Sequence, residues 1–114
     1  MGVFDPAREL EEERERVLGQ LAQLRADFAE IVEAVKASNG DDEHDPEGTT
    51  IAFERSQVGA HIEQAQEHLA AVDKALDRLR HGSYGVCERC GGPIPEGRLE
   101  ARPTASTCVA CARH

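Results

Sequence analysis

The 114-residue sequence predicts a mainly α fold: two long helices folded back as an antiparallel coiled coil, with a small four-cysteine head at the C-terminal end. Three observations predict it. Two stretches carry apolar residues at alternating steps of three and four. A short polar connection separates them. All four cysteines fall after residue 86.

The first helix opens at Asp5-Pro6, an N-cap residue followed by the imino acid best suited to the first helical position. Its seam is Leu10, Val17, Leu21, Leu24, Phe28, Ile31 and Val35, interrupted only by Arg14. Asn39-Gly40 reads as its stop. The second seam is Ile51, Val58, Ile62, Ala65, Leu69, Val72, Leu76 and Leu79, interrupted only by Arg55. A seam sustained over several heptads, flanked by Glu, Gln, Arg and Asp, is a coiled-coil pattern. Asp45 with Pro46, or else Thr49 and Thr50, would cap this helix, and Gly82 would end it. Each helix would run ~32 residues, or ~48 Å at 1.5 Å per residue.

A connection this short forces the two helices antiparallel. Val35 then lies beside Ile51, Phe28 beside Val58 and Leu10 beside Leu76. Arg14 falls near Val72 and Asp73, and Arg55 near Ile31 and Glu30. Both arginines read as stems lying along the seam with their heads on a carboxylate. A break that fixes register or receives a partner is the alternative. The expected shape is a rod with an acidic tip.

The third element is C-x2-C-x17-C-x2-C, formed by Cys87, Cys90, Cys108 and Cys111. Two close pairs brought together by a folded-back loop supply four thiolates in a tetrahedron, as one zinc ion requires. All four positions are taken by protein, so the metal is structural. Gly91-Gly92 permits the tight turn beneath it. The organisation expected is a coiled coil over residues 1–81, with its tip at 39–50, and a zinc finger over 82–114.

Composition excludes several functions. Formal charge is −9, and residues 1–80 carry nine Lys or Arg against nineteen Asp or Glu. Such a surface repels a phosphate backbone, so direct DNA binding is not expected and the partner should be a protein. No apolar run is long enough for a membrane span, and the first residues lack the basic and apolar regions of a signal peptide. A cytoplasmic monomer in a reducing compartment is the expectation, where paired cysteines hold metal. No Ser/His/Asp set, phosphate loop or open metal position is visible, so the chain does not read as an enzyme. A structural coiled-coil adaptor is one competing class; Leu18, Val32 and Val86 would drive its self-association. A zinc-ribbon DNA-binding protein is the other.

The connection reads SNGDDEHDPEGTT, an acidic loop in which Asp, Asn, Gly and Pro also serve turn geometry. The tail carries Tyr84-Gly85-x-Cys87-x-x-Cys90-Gly91, then Ile94-Pro95. It continues Arg98-Leu99-Glu100-Ala101-x-Pro103-x-Ala105-x-x-Cys108-x-x-Cys111. This run, together with the acidic-tipped coiled coil before it, resembles the DksA/TraR family. The resemblance implies a bacterial transcription regulator that binds RNA polymerase directly. The coiled coil would enter the secondary channel and bring the tip near the catalytic centre, in many members together with ppGpp. It also implies tip residues of the pattern Asp-x-x-Asp-x-Ala. Aligned on Asp-Pro, Asp45 matches the first aspartate, Gly48 replaces the second and Thr50 the alanine. In the other register Asp42 and Asp45 match, and Glu47 replaces the alanine. Asp42, Asp45, Glu47 and Thr50 are therefore the candidate tip contacts. Arg98 and Arg102 are the candidate ppGpp or polymerase contacts, unless they simply pair with Glu96 or Glu100.

Overall fold

A computed structural model of the chain describes residues 3–38 and 46–113, the side chains of residues 38 and 46–49 excepted. Four helices follow in order: α1 (Pro6–Ser38), α2 (Pro46–His81), α3 (Glu96–Ala101) and α4 (Val109–Ala112). No strand occurs among the described residues, and one isolated bridge pairs Val86 with Pro93. No helix among them is long and apolar enough to cross a membrane.

The ends of the long helices follow from their residues. At the start of α1, the Arg8 N–H donates to Asp5 Oδ1 at 3.3 Å and the Glu9 N–H to the Asp5 carbonyl at 2.9 Å. The Asp5 side chain thus caps the Arg8 N–H, which has no partner within the helix, and Pro6 follows where a missing N–H costs nothing. Helix α2 begins at Pro46, the earlier of its two candidate starts. It ends in a Schellman motif. The Ser83 N–H donates to the Arg78 carbonyl at 2.9 Å and the Gly82 N–H to the Leu79 carbonyl at 3.3 Å. That closure needs a left-handed residue, and Gly82 supplies it with φ +77°.

The chain divides into two compact units: residues 1–16 with 68–114, and residues 17–67. In the first, Leu10 of α1 packs with Val72, Ala75 and Leu76 of α2, and Leu79 and Tyr84 lie against them. Leu10, Val72 and Ala75 are fully buried. The Arg14 Nε donates to Asp73 Oδ1 at 2.7 Å. As α1 advances from Leu10 to Arg14, its partner on α2 steps back from Leu76 to Asp73, so the helices run antiparallel here. Arg14 thus does what the interrupted seam predicts, with its head on a carboxylate.

In the second unit, Val17, Leu21 and Ala65 are buried. The other seam residues of this unit, Leu24, Phe28, Ile31, Val35, Ile51, Val58 and Ile62, are half-buried. Two helices cover only one face of each other, which leaves the flanks of the seam wet. The Arg55 guanidinium carbon lies 5.8 Å from the centre of the Phe28 ring, a cation over an aromatic face. Of the residues that could drive self-association, Leu18 is partly exposed and Val32 half-buried.

Candidate metal centre

The finger is built on two cysteine turns and the chain that joins them. Its entry is set by α2, which hands over to Tyr84 and Gly85. The Ile94 N–H donates to the Gly85 carbonyl at 2.8 Å, and the Cys87 N–H to the Gly92 carbonyl at 2.8 Å. These bonds fold the first turn into a small loop closed by the Val86–Pro93 bridge. The Gly91 N–H returns to the Cys87 carbonyl at 2.9 Å, with Gly91 at φ +75°. A residue with a Cβ is strained there, which accounts for glycine directly after Cys90.

The second pair arrives by way of α3. Leu99 of that helix is buried with Cys87, Ile94 and Ala105, and Phe4, Tyr84, Cys108 and Cys111 pack around them. The Glu88 N–H donates to the Ser106 carbonyl at 2.9 Å, tying the first turn to the segment that precedes Cys108. The Arg98 Nε donates to the Thr107 carbonyl at 2.8 Å from a half-buried position. The Ala112 N–H donates to the Cys108 carbonyl at 2.9 Å.

The outcome is one cluster. The sulfurs of Cys87, Cys90, Cys108 and Cys111 all lie within 4.8 Å of one another, with Cys90 Sγ and Cys108 Sγ 3.9 Å apart. A tetrahedron of zinc–sulfur bonds of about 2.3 Å has sulfur–sulfur edges of about 3.8 Å, so the set fits one such ion. Backbone dipoles favour thiolate at Cys87: N–H groups, that of Cys90 foremost and then Cys108, bring its thiol down to about 6. Cys111 is pushed up to about 12, first by its hydrogen bond with Cys108 and then by that with Cys87. No other cluster of three or more His, Cys, Asp or Glu residues with metal-ligand geometry occurs among the described residues.

The other sequence-derived candidates fall as follows. Arg102 is exposed, and its backbone N–H donates to the Arg98 carbonyl at 2.7 Å. Thr50 is exposed on α2. Asp42 and Asp45, and the side chain of Glu47, lie outside the described residues. Three features were missed by sequence reasoning. Phe4 packs on the finger core, although nothing in its local pattern points across the chain to residue 94 or 99. Ala75 sits fully buried one position off the seam, where alanine carries little hydrophobic signal. An ion pair joins Arg78 to Glu88 at 3.5 Å.

Two long helices bearing a four-thiolate site define a helical protein with a C4-type zinc finger. Residues 82–113 match the prokaryotic dksA/traR C4-type zinc finger. General stress protein 16O of Bacillus subtilis is 39% identical over 77 residues, covering 68% of this chain and 47% of that protein. The RNA polymerase-binding transcription factor DksA of Caulobacter vibrioides is 54% identical over 41 residues, covering 36% of this chain and 29% of that protein. The solution structure of the DnaK suppressor protein from Agrobacterium tumefaciens aligns with TM-score 0.58 and 28% identity, over 95% of this chain and 88% of that one. The matched segment is less than half the length of each curated relative. The chain is thus similar to DksA/TraR proteins, in sequence over its finger and in fold along most of its length.

Proposed function

We propose that this protein is a bacterial transcription regulator that binds RNA polymerase directly. A single zinc ion held by Cys87, Cys90, Cys108 and Cys111 stabilises its head. The observation that carries the reading is the four-sulfur cluster set in a dksA/traR-type finger on two long helices. The DksA of Caulobacter vibrioides, similar over the finger, is described as RNA polymerase-binding. A net charge of −9 fits a protein partner with basic surfaces better than DNA.

In this reading the coiled coil of residues 1–81 enters the secondary channel, and residues 82–114 form the finger at its base. The acidic connection, with Asp42, Asp45, Glu47 and Thr50, reaches the catalytic centre and alters initiation. Arg102 is the better placed of the two arginines to meet ppGpp or polymerase, because it is exposed whereas Arg98 holds the Thr107 carbonyl.

In vitro transcription with and without the protein tests the proposal, repeated with Asp45→Asn. The expected result is a change in initiation that Asp45→Asn abolishes while polymerase binding persists. A protein that leaves initiation untouched at saturating concentration would overturn it.

A further inference from the structure

The finger and the base of the long helices have separate apolar cores. Tyr84 packs against both. Its hydroxyl donates to the Pro103 carbonyl at 2.8 Å, on the loop between α3 and the second cysteine pair. The ring is thus held between Leu10, Val72, Ala75 and Leu76 on one side and the finger core on the other.

A second join is ionic. Arg78, in the last turn of α2, has a side chain only 14% exposed, with Nη1 3.5 Å from Glu88 Oε1. Glu88 lies between Cys87 and Cys90, and its own N–H is tied to Ser106. The Arg78 Nη2 is buried without a hydrogen-bond partner among the described residues. A guanidinium so placed is tolerable only while its counter-charge stays close. That counter-charge comes from the loop whose shape the metal fixes.

We infer that Arg78, Glu88 and Tyr84 form a latch through which metal occupancy of the four cysteines orders the base of α1 and α2. With metal bound, the first cysteine turn presents the Glu88 carboxylate to Arg78, and the chain before Cys108 presents the Pro103 carbonyl to Tyr84. When the metal leaves, both partners withdraw together. Arg78 is left as an unpaired charge beside an apolar cluster, and Tyr84 loses one of its two packing surfaces. The helix ends around Leu10, Val72 and Leu76 then open. The latch rests on the metal-site reading and is independent of any polymerase partner.

The test uses the intact chain, zinc-loaded or treated with EDTA, with zinc content measured alongside amide hydrogen exchange. Tyr84 is the only tyrosine and there is no tryptophan, so ultraviolet absorbance reports on the latch itself. In the wild-type protein, chelation should speed exchange near Leu10, Val72 and Leu76 by about tenfold or more and move the Tyr84 absorbance to that of a solvated phenol. Glu88→Ala and Tyr84→Phe leave the cysteines intact and should still bind one zinc per chain. Their exchange should already be raised with zinc bound, and chelation should add less than about threefold. A purely structural role would instead raise exchange equally in both states. Zinc binding with no exchange response in the wild type would overturn the latch alone. So would a full response retained in both variants. A wild-type chain that binds no zinc would overturn the latch together with the metal site.

Discussion

Arg14 of α1 donates from Nε to Oδ1 of Asp73 on α2 at 2.7 Å, at the position where the first apolar seam is interrupted. The contact raises the Arg14 guanidinium above its ordinary value, through the hydrogen bond first and the charge second. Both side chains remain substantially exposed, so solvent and salt screen the pair. Asp73→Asn should therefore lower the helical melting temperature only slightly, by about 2 °C or less. The difference should vanish in about 1 M salt, where the screening length is about 3 Å. Circular dichroism melts at two salt concentrations measure it. A large, salt-independent loss would show that Arg14 fixes register.

The buried cluster beneath that pair carries far more. Leu10 is 0% exposed against Val72, Ala75 and Leu76. Leu10→Ala should cost about 2–5 kcal/mol, the loss of transfer energy plus an unfilled cavity. Leu18→Ala, at a partly exposed position two turns along, should cost less than about 0.5 kcal/mol. Urea unfolding followed by helical signal compares the two.

Two glycines of the finger should respond in opposite ways. Gly85 has φ +83°, so Gly85→Ala forces a side chain into the left-handed region and should cost about 1–2 kcal/mol. Gly97 lies in α3, where an added Cβ meets nothing within 4 Å. Gly97→Ala should stabilise by about 0.4–1 kcal/mol, because alanine restricts the unfolded chain and favours helix. Melting of the zinc-loaded proteins reads both.

Zinc affinity should depend steeply on pH. Cys87 ionises near 6, but Cys111 holds its proton to about 12, so uptake of zinc at neutral pH must expel at least that proton. The sign follows: affinity rises with pH and falls as pH drops, by about tenfold or more per unit. The fall steepens below pH 6, where the Cys87 thiol is protonated as well. Competition against a chromophoric chelator between pH 5.5 and 8 measures the slope. A flat profile would mean that the cluster is already fully ionised without metal.

Much of this fold is legible in the sequence because its signals are local and periodic. The seams place Leu10, Val17, Leu21, Val72 and Leu76 inside, and Asp5-Pro6 and Gly82 mark helix ends by their own backbone chemistry. The cysteine spacing points to the four-sulfur cluster because a metal site dictates ligand number and reach. What escaped depends on contacts across the chain. Phe4 reaches the finger from the far terminus, and Arg78 meets Glu88 only because the Schellman turn and the first cysteine loop aim them at each other. Arg55 lies over the face of Phe28, a contact that heptad position alone does not specify.

Binding to RNA polymerase core enzyme is the most direct test of the central claim. The zinc-loaded chain, titrated against core enzyme with fluorescence anisotropy as readout, should bind at micromolar concentration or below and be displaced by a known secondary-channel factor. Absence of binding at tens of micromolar, or binding that such a factor leaves undisturbed, would contradict it.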